Sequence, residues 1–119
     1  EKQDAPVIIL GFGRYGQIVA RMMLSQSSAC TVLDHDAEMI ETARKFGYRV
    51  FYGDASRLDL LRTAGAEDAS IVVMAVDDTD QSMEIVELIQ EHLPKVKIVA
   101  RARDVTHWNR LREKGVTHV

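Results

Sequence analysis

Short, mostly apolar runs alternate along this chain with longer stretches in which apolar residues recur every three or four positions. The runs lie at residues 7–10, 30–33, 49–52, 71–75, 98–101 and 116–119. Apolar runs of this length are typical of strands in a parallel sheet, because helices cover both faces of such a sheet. The pattern therefore predicts six strands.

The stretches between the runs have the period of amphipathic helices. We predict helices at about residues 14–25, 36–46, 57–63, 77–93 and 104–113. The expected inner faces carry Ile18, Val19, Met22 and Met23 in the first helix, Met39, Ala43 and Phe46 in the second, and Val105, Trp108 and Leu111 in the last. The predicted fold class is α/β, with one domain over residues 1–119. It has a doubly wound, Rossmann-like parallel six-stranded sheet in the order 3-2-1-4-5-6, with helices on both faces.

A glycine-rich turn joins the first strand to the first helix, and it reads Gly11-Phe12-Gly13-Arg14-Tyr15-Gly16. In such a strand–turn–helix unit Gly11 permits the turn, Gly13 lets the backbone approach a pyrophosphate, and Gly16 lets the helix lie against its strand. The N–H groups at the start of the helix then bind the phosphate. A glycine-rich turn without a ligand is the alternative, but the order of strand, turn, helix, strand and acid favours a nucleotide site.

Asp34 is the acid of that pattern. It follows the second apolar run, 18 residues after Gly16, close to the spacing expected for a carboxylate that accepts hydrogen bonds from both ribose hydroxyls. A 2′-phosphate would face this carboxylate, so NADP is disfavoured.

Ligands of doubly wound sheets bind at the carboxyl ends of the strands, where the strand order reverses. Four segments should converge there: the glycine turn, Asp34-His35, Gly53-Asp54-Ala55 and Val76-Asp77. Asp54 has two interpretations. It accepts a hydrogen bond from an adenine amino group beside the Ala55 N–H, or it is a turn acid that caps the next helix.

His35 and Arg14 complete the predicted site. His35 borders Asp34, although a solvated loop residue is the simpler interpretation. Arg14 places a cation at a helix N-terminus, which opposes the helix macrodipole unless the guanidinium meets a phosphate of its own site or of a neighbouring copy.

Composition removes several functional classes. The chain has 119 residues, of which 46% are hydrophobic and 28% charged, and a net charge of −3, so we expect no nucleic acid as a partner. One cysteine excludes an internal disulfide, and no apolar run approaches the ~20 residues of a membrane span. The sequence begins with Glu1 and a polar lead-in at residues 1–6, so we expect a segment of a longer polypeptide.

Catalytic machinery is not evident in the sequence. There is no Ser/His/Asp, Cys/His or metal-spaced cluster, and His92, His107 and His118 lie on or after the last two predicted helices, away from the crevice. A dehydrogenase needs a proton-transfer group over the nicotinamide. We therefore expect a nucleotide sensor with no catalytic residues and no metal site.

Four segments, VIILGFGRYGQIVAR, VLDHD, RKFGYRVFYGDASRLDLLRTAGAE and KIVARARD, together resemble the KTN domain, also called the RCK amino-terminal or TrkA-N domain. The chain is most similar to glutathione-gated potassium efflux proteins of the Kef type. The resemblance implies a regulatory domain at the cytoplasmic face of the bacterial inner membrane, in one chain with a membrane-spanning potassium transport domain. It also implies a homodimer and a bound adenine nucleotide, AMP or NADH/NAD.

Kef-type proteins also carry a glutathione pocket and act with a flavin oxidoreductase-like ancillary subunit. At matching positions the resemblance implies that Arg21 meets a glutathione carboxylate, that Phe46 senses a bulky adduct, and that Asp104 lies near polar groups of the peptide. The residues alone allow plainer interpretations: Arg21 as a solvated helix cation, Phe46 as core and Asp104 as a helix cap.

Three other functions remain open. The same fold serves as a separate regulatory subunit of a potassium uptake system, or as the cofactor half of an NAD-dependent dehydrogenase. A methyltransferase would use Asp34 for the ribose of S-adenosylmethionine.

Overall fold

The computed structural model describes residues 7–25 and 30–119. The polar lead-in expected at residues 1–6 lies outside the described residues.

A parallel sheet forms the centre of the fold. Its strands are β1 Val7–Leu10, β2 Cys30–Asp34, β3 Arg49–Tyr52, β4 Ile71–Met74 and β5 Lys97–Ala100. Over the described residues their order is β3-β2-β1-β4-β5. The central strand β1 pairs in parallel with β2 and β4, so that Ile9 lies between Val32 and Val73. All of β1 is buried, which explains its unbroken apolar run.

Helices cover both faces of this sheet. They are α1 Arg14–Ser25, α2 Ala37–Lys45, α3 Leu58–Thr63, α4 Thr79–His92 and α5 Val105–Glu113, with a short 3₁₀ helix at Ala66–Asp68. Val7 and Ile9 belong to a core that includes α1 and α2 residues, whereas Ile8 and Leu10 belong to the core on the side of α3, α4 and α5. Successive residues of a strand point to opposite faces, so the doubly wound prediction is confirmed.

The predicted sixth strand is wrong. The sheet of the described residues has five strands, and the end of the chain adds one isolated parallel bridge between Val99 and His118. Val116 turns into the core, the N–H of Ala100 donates to the carbonyl of His118, and the residues after Val116 are exposed. A strand needs consecutive ladder pairs, and a single bridge does not provide them.

The helix faces were predicted less well than the strands. Val105 is 74% and Trp108 44% exposed, and the buried residues of α5 are His107 and Leu111. Phe46 is 64% exposed at the end of α2, so its interpretation as core is wrong.

The inner face of α1 also differs from the predicted stripe. Ile18 and Met22 are exposed, and the helix faces the sheet through Gly16 and Ala20. A Cβ at Gly16 would collide with the Gly11 carbonyl oxygen. Small residues therefore set the close approach of α1 to β1. Val19 and Met23 of the predicted stripe are partly buried and pack against this core, whereas Ile18 and Met22 stay exposed.

Candidate functional site

The turn between β1 and α1 requires glycine at Gly11. Its φ is +96°, and an added Cβ would lie 2.9 Å from the carbonyl oxygen of Ala75. The N–H of Gly11 donates to the carbonyl of Leu33 at 2.9 Å, and the N–H of Ala75 donates to the carbonyl of Leu10. The turn is therefore fixed between the carboxyl ends of β2 and β4.

Gly13 differs from the other glycines of the turn. An added Cβ at this position would meet no atom within 4 Å, and Gly13 lines the crevice above the sheet. The Gln17 N–H bonds to the Gly13 carbonyl, which closes the first turn of α1. The N–H groups before Gln17 precede the helical hydrogen-bond ladder, so they are donors for an anion beside Gly13.

The other residues of the turn are not part of the crevice lining. Phe12 is buried and packs edge-on against Tyr48, with ring centroids 5.8 Å apart. Tyr15 is partly buried under the guanidinium of Arg101. Arg14 is exposed at the start of α1.

Asp34 joins the glycine turn to the start of α2. Its Oδ2 accepts a hydrogen bond from the Phe12 N–H at 2.7 Å, and its Oδ1 accepts one from the Asp36 N–H at 2.8 Å. The side chain is only 9% exposed. Each carboxylate oxygen has a second acceptor site, so Asp34 retains the capacity to accept ribose hydroxyls.

Asp54 lies in a tight turn after β3. Its Oδ1 accepts hydrogen bonds from the N–H and the hydroxyl of Ser56, at 2.9 and 2.8 Å, and from Nε2 of Gln81 at 3.3 Å. The Ser56 N–H, followed by the Ser56 hydroxyl, lowers the pKa of this carboxyl. The cap of α3 is Arg57, without a side-chain bond, so Asp54 stabilises the turn before that helix.

A crevice of about 480 Å³ opens at the carboxyl ends of the strands. Eight predicted site residues line it: Gly11, Gly13, Asp34, His35, Gly53, Ala55, Val76 and Asp77. Six residues that the sequence analysis did not propose also line it: Leu33, Asp36, Met39, Ala75, Asp78 and Gln81. The predicted residues that are not among the lining are Phe12, Arg14, Tyr15, Gly16 and Asp54.

Some of the missed residues had a signal in the sequence. Asp36 and Asp78 are the N-caps of α2 and α4, and each caps its helix through its side chain. Such caps stand where a helix meets the end of a strand, so an acid at the crevice follows from the topology. Gln81 lies in the first turn of α4, and its side chain contacts Asp54 across the fold, which no local pattern indicates.

The lining of the crevice is acidic. Its carboxylates are Asp34, Asp36, Asp77 and Asp78, and among the described residues no lysine or arginine lines it. Arg103 approaches the rim, where its Nη1 donates to the Asp77 carbonyl at 3.2 Å and lies 3.9 Å from the Asp77 carboxylate. A phosphate in this crevice would therefore depend on backbone N–H groups and the α1 dipole.

The three residues of the expected glutathione pocket lie on different elements. Arg21 is exposed on α1, and its charge acts on Tyr48 by lowering the pKa of that phenol against the larger effect of burial. Phe46 is the exposed C-cap residue of α2, and Asp104 caps α5 by accepting from the His107 N–H at 2.8 Å.

Reactive groups are scarce in the described part of the chain. No set of three or more histidine, cysteine or acidic side chains there is arranged to hold a metal ion. Burial raises the pKa of the Cys30 thiol to about 11, so it is protonated at neutral pH and a poor nucleophile. In residues 7–25 and 30–119, no helix has the length and apolar character to cross a membrane.

The chain is similar to known proteins. The family model described as the TrkA-N domain matches residues 7–119. The glutathione-regulated potassium-efflux system protein KefC of Escherichia fergusonii is 52% identical over 116 residues, which are 98% of this chain and 19% of that protein. The chain therefore spans about a fifth of the length of this relative.

Two solved structures are also similar. One is the Shewanella denitrificans Kef CTD in an AMP-bound form, with a TM-score of 0.85 and 46% identity over 94% of this chain and 67% of that one. The other is GsuK bound to ADP, with a TM-score of 0.85 and 25% identity over 98% of this chain and 30% of that one.

Proposed function

Because this chain belongs to the TrkA-N domain family, we propose that it is the regulatory domain of a potassium efflux system and that it senses an adenine nucleotide. The likeness to KefC supports the efflux system. The AMP and ADP in the two similar structures support an adenine nucleotide as the ligand, with AMP or NADH/NAD as the candidates.

One observation gives the proposed nucleotide site its main support. Gly13, whose Cα faces open space, and the nearly buried Asp34 carboxylate line the same crevice. In the proposed complex the phosphate lies at the start of α1, with N–H groups of the turn as donors and Arg14 as the cation nearest in sequence. The ribose hydroxyls donate to Asp34, and the base lies between Met39, Gly53 and Ala55.

The remaining predicted residues take lesser parts in this complex. Val76 and Asp77 form the opposite wall at the end of β4, and His35 lies at the exposed edge beside Asp34. Phe12, Tyr15 and Gly16 hold the turn in shape. Asp54 acts at the base end of the crevice.

We propose that the domain performs no chemistry on the nucleotide. It forms a homodimer at the cytoplasmic face of the inner membrane and acts on a transport domain of the same chain. Glutathione holds the transporter closed, its adducts favour the open state, and a flavin oxidoreductase-like subunit assists. Each ligand shifts this balance only by its difference in affinity for the two states.

The glutathione site rests on Arg21, Phe46 and Asp104. Exposure of Phe46 leaves its ring available to a ligand or to a second copy of the chain. Phe46→Ala should weaken glutathione binding by the intact transporter and leave AMP affinity unchanged. An unchanged glutathione affinity would remove Phe46 from the site.

Calorimetric titration tests the nucleotide site. We expect AMP or NADH to bind the wild-type chain and S-adenosylmethionine not to bind. Asp34→Asn removes a charged acceptor, so AMP affinity should fall by about tenfold or more. Asp68→Asn, an exposed acid of the 3₁₀ helix, is the matched control and should bind as wild type. Equal affinity in the Asp34 and Asp68 variants would count against the site.

A further inference from the structure

Gln81 has an unusual partner for its position in α4. Asp78 is the N-cap of this helix, and its Oδ1 accepts a hydrogen bond from the Gln81 N–H at 2.9 Å. A glutamine at this place commonly returns its side chain to the N-cap N–H, which forms a capping box. Here the Gln81 Nε2 donates instead to Asp54 Oδ1, 27 residues away at the end of β3.

Asp54 fixes which end of the Gln81 amide is turned toward it. The Asp54 carboxyl has a lowered pKa, chiefly because of the Ser56 N–H, and is therefore ionised at neutral pH. An ionised carboxylate accepts hydrogen bonds and donates none, so the amide must turn Nε2 toward Asp54. The Oε1 atom of Gln81 is then directed away from Asp54 as an acceptor.

Gln81 lines the crevice, and Asp54 does not. Gly53 and Ala55 line the crevice beside Gln81, whereas Asp54, between them in sequence, is exposed and is not part of the lining. The described hydrogen bonds to the Asp54 side chain all end at Oδ1, where Ser56 and Gln81 converge. Asp54 is therefore placed to orient Gln81, and Gln81 is placed where a base in the crevice would meet it.

We propose that Gln81 selects adenine by accepting a hydrogen bond from the 6-amino group through Oε1, with Asp54 holding the amide in that orientation. This inference rests on the proposed nucleotide site. A purine with a 6-oxo group, hypoxanthine or guanine, would place its oxygen against Oε1, so that two acceptors face one another without a proton. Leaving a polar group unpaired in this way typically costs enough to lower affinity by about tenfold.

The test compares AMP with IMP, which differ at the 6-position, by calorimetric titration of the 119-residue chain. Wild type should bind AMP about tenfold or more tightly than IMP. Gln81→Met keeps the length of the side chain and removes the acceptor, so the ratio should fall toward one. Gln90→Met on the same helix is the control, because Gln90 donates to the Lys114 carbonyl and does not line the crevice, and it should keep the wild-type ratio.

Different outcomes separate the two proposals. If wild type binds AMP and IMP equally, or if Gln81→Met keeps the wild-type ratio, the role of Gln81 is overturned while the nucleotide site stands. If neither nucleotide binds wild type, the proposed function fails and this inference fails with it. The comparison of AMP with IMP on wild type needs no substitution, so it tests the role of Gln81 even if Gln81→Met does not fold.

Discussion

Nδ1 of His107 accepts a hydrogen bond from the backbone N–H of Arg103 at 3.0 Å. The ring is fully buried, and its Nε2 lies 3.4 Å from the hydroxyl of Ser82, which is also buried. Because Nδ1 is the acceptor, the neutral ring carries its proton on Nε2. His107 thereby ties the loop before α5 to α4, and the same loop carries Arg103 to Asp77 at the rim of the crevice.

Because His107 is buried with Nδ1 as an acceptor, we expect the domain to lose stability in mild acid. Burial lowers the pKa of His107 below its ordinary value of 6.5; Arg110 and Arg103 act in the same direction, and Asp104 opposes them. The unfolded chain therefore takes up the proton more readily, so the free energy of unfolding should fall as pH drops below about 6.5. A proton on Nδ1 would also face the Arg103 N–H.

Urea unfolding between about pH 8 and about pH 5 measures this dependence. His107→Gln has no titrating ring, so its stability should decline less steeply with acid than that of wild type. His92→Gln, at an exposed histidine of α4, serves as the control and should follow wild type. Parallel curves for wild type and His107→Gln would contradict this account.

Gly16→Ala should destabilise the fold. Its Cβ would collide with the Gly11 carbonyl oxygen and lie 3.3 Å from Cγ2 of Ile9, so α1 must move away from β1. Overpacking of this kind typically costs about 1–3 kcal/mol. Thermal or urea unfolding would measure the loss, and a variant as stable as wild type would show that α1 is not held by this contact.

Gly13→Ala is the matched substitution in the same turn, and it should weaken AMP binding without lowering stability. Its Cβ would meet no protein atom within 4 Å, so stability should not fall. The new methyl group would occupy the space of the phosphate, so AMP affinity should drop by about tenfold or more. Unchanged AMP affinity, measured by calorimetry, would place the phosphate elsewhere.

The sequence was sufficient to predict, in outline, which segments meet in one crevice at the carboxyl ends of the strands. Gly11, Gly13 and Asp34 can be recognised locally, because the two glycines lie within one turn and the acid directly ends an apolar run. Topology then brought Gly53 and Val76 to the same edge, since parallel strands end together.

The errors concern contacts between distant parts of the chain. His107 is buried in α5, and Val105 and Trp108 are exposed. The ring nitrogens of His107 have polar partners in Ser82 and the Arg103 N–H. The periodicity of apolar residues does not indicate those partners. Residues 116–119 have the composition of a strand but form one bridge. Gln81 lines the crevice and contacts Asp54 across the fold, and no local pattern indicates that contact.

The most direct test of the central claim is a titration of the isotopically labelled chain with AMP, followed by the chemical shifts of its backbone amides. We predict that the largest changes occur at Gly13, Arg14, Asp34 and Ala55, and that they saturate together. Amides around the separate groove near Pro94 and Thr117 should not move. Changes confined to that groove, or none with AMP in large excess, would contradict the assignment of the crevice as a nucleotide site.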